Sequence, residues 1–196
     1  MNGTDATLIA ATERVLNAHS LAGSTLELIA AEAGMHRVTL YRKGLNVESL
    51  AAAAISAAAD EYATALLPVL SHGGSGRERL ELLLEALCEV AERHLGLLAS
   101  LYDLPTALFH LPSGDDTATL LTRLDFTEPI ARVLVDGVHD KTLHTSDPAA
   151  TAELIFNLVG WTYVHLRRTH GWRAVHVRSQ LTALLMNGLS TNRLSA

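Results

Sequence analysis

STLELIAAEAGMHRVTLYRKGLNVESL, residues 24–50, decides how the chain is read. Two helices that cross closely through a tight turn need a small residue inside the first, a glycine in the turn and apolar residues where they meet. Ala30, Gly34 and Leu40 stand at those places, with Ile29, Ala33 and Met35 completing a small core. Ser24 and Glu27 have capping-box spacing, so the first of the two helices is expected to open at Ser24 or Thr25 and to stop near Gly34. The second is expected over about 36–43, ended by Gly44 in the left-handed conformation that glycine adopts cheaply. Asn46 then caps a longer helix.

Given that packing, the N-terminal end of the second helix is the part of a helix-turn-helix that enters a DNA major groove. His36, Arg37, Val38 and Arg42 would meet base edges or sugars. Arg37 would read a guanine, because a guanidinium donates to both O6 and N7. Thr39 and Tyr41 offer hydroxyls suited to phosphate, and Lys43 adds charge; such contacts fix register rather than sequence. The chain as a whole is acidic, with 15 basic against 21 acidic side chains and a net charge of −6. That balance argues against binding a polyanion over the whole surface. Between residues 34 and 45, however, Arg37, Arg42 and Lys43 stand without a single acid. The basic patch is local, and it falls on the reading helix.

The run Thr25-Leu26-x-x-Ile29-Ala30-x-x-Ala33-Gly34-Met35-x-x-x-Thr39-Leu40-Tyr41, continued by Leu50, resembles the N-terminal signature of the TetR family of bacterial transcriptional regulators. The resemblance covers residues 25–50. It implies a three-helix DNA-binding domain ahead of a divergent helical regulatory domain, a homodimer paired through the last two helices, and a small-molecule effector that releases operator DNA. It also implies phosphate contacts from Thr25, Thr39 and Tyr41, and base or groove contacts from His36, Arg37, Val38, Arg42 and Lys43. Two places depart from the family pattern. Lys43 and Gly44 replace a histidine and the bulky apolar or aromatic residue after it, and Val47 stands where a lysine usually starts the fourth helix. Loss of that lysine makes the expected salt slope shallower by about one unit.

Outside this stretch the chain reads as helix. Hydrophobic residues make up 48% of its 196 residues, prolines number five, and no segment alternates β-branched and polar residues with a period of two, so the fold class is all-α, with about nine helices. Helices are expected over about 5–20, 46–68, 77–98 and 116–138, the last kinked at Pro129. Two more are expected over about 147–170, opened by Asp147 and Pro148 and closed by Gly171, and over about 173–189. HGGSG, residues 72–76, is a linker, and residues 106–116 after Pro105 read as irregular.

No basic segment precedes a long apolar run at the N-terminus, and no uncharged window approaches a bilayer span, so neither a signal peptide nor a membrane partner is expected and the location is cytoplasmic. Cys88, the single cysteine, excludes an internal disulfide and every multi-cysteine zinc motif. The histidines lack a His-x-x-x-His pair between Asn157 and His176, so no metal and no cofactor are expected. No nucleophile elbow or triad spacing marks an enzyme.

A regulatory half needs a pocket. Asn157, Trp161 and His165 recur at i, i+4 and i+8 and would share a helix face. With Tyr62, Leu66, Leu84, Cys88 and Ala91, and with Tyr102, Phe109 and Phe126, they would line a mostly apolar cavity. The last two helices carry Leu154, Leu158, Trp161 and Val164, then Leu181, Leu184, Leu185 and Leu189. That is more apolar surface than one face of a small domain buries, so a two-fold homodimer interface is expected there, with a pseudo-palindromic operator. The expected domains are 1–46 for DNA and 47–196 for regulation and dimerisation. The functional expectation is a homodimeric repressor released from DNA by a small, largely apolar effector. The alternatives are a helical ligand-binding or dimerisation protein whose head no longer binds DNA, and a small helical enzyme.

Overall fold

A computed structural model describes residues 3–100 and 117–190, with side chains over 6–100 and 126–190. Among the described residues there is no strand, only one bridge between Leu143 and Ser190. The helices are α1 (Gly3–Gly23), α2 (Leu26–Glu32), α3 (Arg37–Arg42), α4 (Val47–Leu70), α5 (Gly76–Arg93), α6 (Leu95–Ser100), α7 (Thr117–His139), α8 (Pro148–Asn157), α9 (Val164–Arg168) and α10 (Ala174–Leu189). A π-helical run, Leu158–Tyr163, joins α8 to α9, so those two form one continuous helix and the all-α expectation of about nine holds. The expected irregular segment 106–116 lies outside the described residues. Two compact units emerge, Met1–Glu61 with His94–His110, and Tyr62–Arg93 with Leu111–Ala196.

The first unit is built on the apolar positions of the opening motif. Leu8 and Val15 of α1, Ile29 and Ala30 of α2, Leu40 of α3 and Leu50 of α4 form one buried cluster, with Leu26, Ala33, Met35, Leu45 and Val47 packed against it. A second cluster joins Leu16, Ala51, Ala54 and Leu97. Thr12 is fully buried and donates its hydroxyl to the Leu8 carbonyl at 2.8 Å, which spares it an unsatisfied polar group. Helix α1 runs three residues beyond expectation through a kink at Ser20, where φ is 56° and ψ 177°. The capping box expected of Ser24 and Glu27 does not form. Thr25 is the N-cap, its oxygen accepting the Leu28 N–H at 3.2 Å, while Ser24 is buried and donates to the Ser20 carbonyl. Gly34 and Gly44 hold φ of 65° and 70° at the ends of α2 and α3, and Asn46 caps α4 by accepting the Ser49 N–H at 2.7 Å.

Helix α4 is long and apolar enough, by length and composition, to cross a bilayer. Every 18-residue window within it contains Asp60 and Glu61, however, and its apolar character comes mainly from alanine. The single helix expected over 77–98 is broken at His94 into α5 and α6. His94 is itself buried and tied by both ring nitrogens, and Gly96 lies so close to α1 that a Cβ there would stand 2.3 Å from the Asn17 Cβ.

In the second unit α5 is central, buried through Leu80, Leu83, Leu84, Leu87, Cys88 and Ala91, and contacted by α7, α10 and the π-helical run. Its first residue, Gly76, meets Gly137 of α7 so closely that a Cβ would lie 2.1 Å from the Gly137 Cα. The Gly76 N–H donates to Asp140 at 2.6 Å, and Ser75 with Glu78 forms the capping box that opens the helix. Asp147 caps α8 ahead of Pro148 as its sequence predicts, accepting the Ala150 N–H at 3.0 Å.

Candidate nucleic-acid interface

Thr25, His36, Arg37, Val38, Thr39, Tyr41, Arg42 and Lys43 are all exposed, on or beside α2 and α3. Helix α3 buries one residue, Leu40, so its remaining side chains are left to the surface. Val38 is 65% exposed and Tyr41 74%. His36 occupies the N-cap of α3 without a side-chain capping bond. Thr25 accepts the Leu28 N–H as a cap through its hydroxyl oxygen. Arg37 lies 3.9 Å from Glu27, a pair exposed enough that water screens it strongly. Val47, in the place of the family's lysine, is half-buried and packs on the core cluster beneath the motif.

Within the same unit His94 joins three helices' worth of chain. Its Nδ1 lies 3.2 Å from Glu13 of α1 and its Nε2 2.9 Å from Glu61 of α4. An ionised carboxylate only accepts, so both contacts are satisfied together by the imidazolium. The bond to Glu13 accordingly raises the His94 pKa above its ordinary value, against the opposing effect of burial, and Glu61 adds to the rise.

The residues expected to line an effector pocket divide in two. Tyr62, Leu66, Leu84, Cys88 and Ala91 are buried in the second unit, and Phe126 is half-buried beside them. Tyr62 donates its hydroxyl to the Phe126 carbonyl at 2.5 Å, and their rings lie 5.4 Å apart. Phe156, next in sequence to Asn157, stacks on Phe126 at 5.4 Å, an aromatic partner that helical spacing did not predict. Burial raises the Tyr62 hydroxyl and pushes the Cys88 thiol up to about 12, so Cys88 is a packing residue rather than a thiolate. Asn157 and His165 are exposed and Trp161 is half-buried. Asn157 donates to the Glu153 carbonyl at 2.8 Å, and His165 sits 3.3 Å from Thr169 with its ring 5.0 Å from His170. The π-helical turns between these positions are wider than α turns, so the i, i+4, i+8 face expected of a uniform α-helix is not regular. Tyr102 and Phe109 lie outside the described residues.

Of the side chains expected at a dimer interface, Leu154 and Leu184 are 64% and 66% exposed, Leu158, Leu185 and Leu189 are half-buried, and Val164 and Leu181 are covered by the chain itself. Sequence spacing gave no signal for the polar cluster that ties α5 to Tyr163 and Arg167. Glu92 accepts two bonds from Arg167, at 2.8 and 2.6 Å, and one from the Tyr163 hydroxyl at 2.8 Å. The Arg167 bond holds the Glu92 carboxyl below its usual range. Among the described residues no group of three His, Cys, Asp or Glu side chains is placed to hold a metal ion.

No protein-family model matches the chain, and no curated protein does. Solved structures do match it along nearly its whole length. A transcriptional regulator of the TetR/AcrR family from Thermobifida fusca has a TM-score of 0.72 at 21% identity, over 95% of this chain and 98% of its own. A bacterial regulatory protein of the tetR family from Rhodococcus has a TM-score of 0.74 at 18% identity, over 95% and 97%. The ketosteroid transcriptional regulator KstR2 of Mycobacterium tuberculosis has a TM-score of 0.69 at 18% identity, over 97% of each chain. An exposed α3 on a packed helix-turn-helix, followed by helices in this order, thus identifies the chain as having the fold of the TetR/AcrR family of transcriptional regulators.

Proposed function

We propose that this protein is a DNA-binding transcriptional regulator of the cytoplasm that responds to a small molecule, acts as a homodimer on a pseudo-palindromic operator and represses by occupying it. One observation carries the reading. The buried residues of the head are those a helix-turn-helix must bury, and all eight side chains expected to touch DNA are left exposed around them. Folding alone has no use for Arg37, Arg42, Lys43 and a 74% exposed Tyr41 on one short segment. An apolar effector is favoured by the Tyr62, Phe126 and Phe156 ring cluster in the second unit, and a fold neighbour named for ketosteroids agrees with that chemistry. A two-fold pairing through α8 and α10 is favoured by the exposed Leu154 and Leu184. Effector binding would favour a dimer whose heads are spaced wrongly for two successive grooves, and release follows from that difference in affinity.

Selection of random duplexes by the pure protein at low salt tests the reading. Recovery of a palindrome is the expected result. Uniform weak binding would instead mark a helical ligand-binding or dimerisation protein whose head no longer reads DNA.

A further inference from the structure

Among its described residues the first unit exposes three large apolar side chains, Leu28 at 36%, Val38 at 65% and Tyr41 at 74%, and all three belong to α2 and α3. None of the three is among the apolar residues packed on the head's core. Val38 is in addition β-branched, which lowers helix stability relative to alanine. What it offers is a pair of methyl groups at the surface, next in sequence to Arg37 and on the helix that carries Arg42. In a major groove an apolar side chain has one base-specific partner, the C5-methyl group of thymine. Leu28 is more covered, and the hydroxyl of Tyr41 suits phosphate.

We propose that Val38 is a specificity-determining residue that selects thymine, packing its methyl groups on the C5-methyl of a thymine in the half-site whose guanine Arg37 reads. The inference rests on the DNA-binding reading and adds to it the identity of a base.

The test remakes the duplex selected by the protein with each thymine in turn replaced by deoxyuridine, which keeps the base pair and removes the methyl alone. At one position per half-site the affinity is expected to fall roughly fourfold, the worth of one buried methyl. The salt slope should not move, because no phosphate contact is lost. Val38→Ala should bind the thymine and uracil duplexes equally well, with the helical circular dichroism of the unaltered protein and a melting temperature no lower, since the valine is largely exposed. Three outcomes overturn the inference while leaving sequence-selective binding intact. They are a selected half-site without thymine, a scan in which no uracil changes the affinity by about twofold or more, and a Val38→Ala protein that keeps the full uracil penalty. Failure to select any duplex overturns the DNA-binding reading, and the inference with it.

Discussion

At residue scale Arg37 carries the expectation that separates base reading from backbone grip. Its exposed pairing with Glu27 at 3.9 Å is weak, so a guanine edge can replace the carboxylate at little cost. Arg37→Ala should relax base preference at one position per half-site, losing about 1–3 kcal/mol of discrimination there, as measured by competition with single-base variants of the operator. Equal loss on every sequence would place Arg37 on phosphate instead. Val47 is the second such residue. It packs on the head's core, so a lysine there would keep its stem on that surface and extend its ammonium outward. Val47→Lys should steepen the salt dependence of binding by about one unit, read from affinities over a salt series. An unchanged slope would mean that the start of α4 does not approach the DNA backbone. Leu40, Gly34 and Gly44 were legible in the sequence because each answers a local demand, for burial at a crossing or for positive φ. The Arg37–Glu27 and His94–Glu13 pairs were not, because their partners lie 10 and 81 positions away with nothing local to announce them.

At the scale of elements, the departures from the sequence reading have physical causes. Thr25 rather than Ser24 caps α2 because Ser24 is drawn inward to the Ser20 carbonyl, leaving its neighbour to meet the Leu28 N–H. The break at His94 is tertiary. Glu13 on α1 and Glu61 on α4 bind the two ring nitrogens of one imidazole, and no periodicity in residues 77–98 reports that tie. The tie predicts a pH dependence. The folded His94 pKa is raised above 6.5, so its stabilisation is fully present below that value and is lost as pH rises through the folded pKa. His94→Gln should therefore lower the melting temperature most at acidic pH, with the gap to the unaltered protein closing as pH rises. A gap that stays constant across the range would show that His94 is not protonated in the folded head. The π-helical run Leu158–Tyr163 is a third departure. It contains Gly160, which weakens α-helix propensity, but the amphipathic pattern of the segment gives no sign of the wider turns.

For the whole molecule, helix content, order and the helix-turn-helix were legible because alanine- and leucine-rich segments punctuated by Gly34, Gly44, Asn46, Asp147 and Gly171 leave few other ways to fold. The residues proposed for an effector site mark where that legibility stops. Five of its expected members are buried in the second unit and Phe126 is half-buried with them, but Phe156 completes the aromatic cluster without having been singled out. A cavity depends on how three or more helices meet, which no single helix pattern encodes. The same holds for the proposed dimer face, where Leu154 and Leu184 are exposed while Val164 and Leu181 are buried in the chain itself. A hydroxyl-radical footprint on the selected duplex tests whether two such heads read one operator together. Two protected patches related by a two-fold axis are expected on one face of the DNA, their centres about one helical turn or a multiple of it apart. A single protected patch, or protection spread evenly along the duplex, would contradict it.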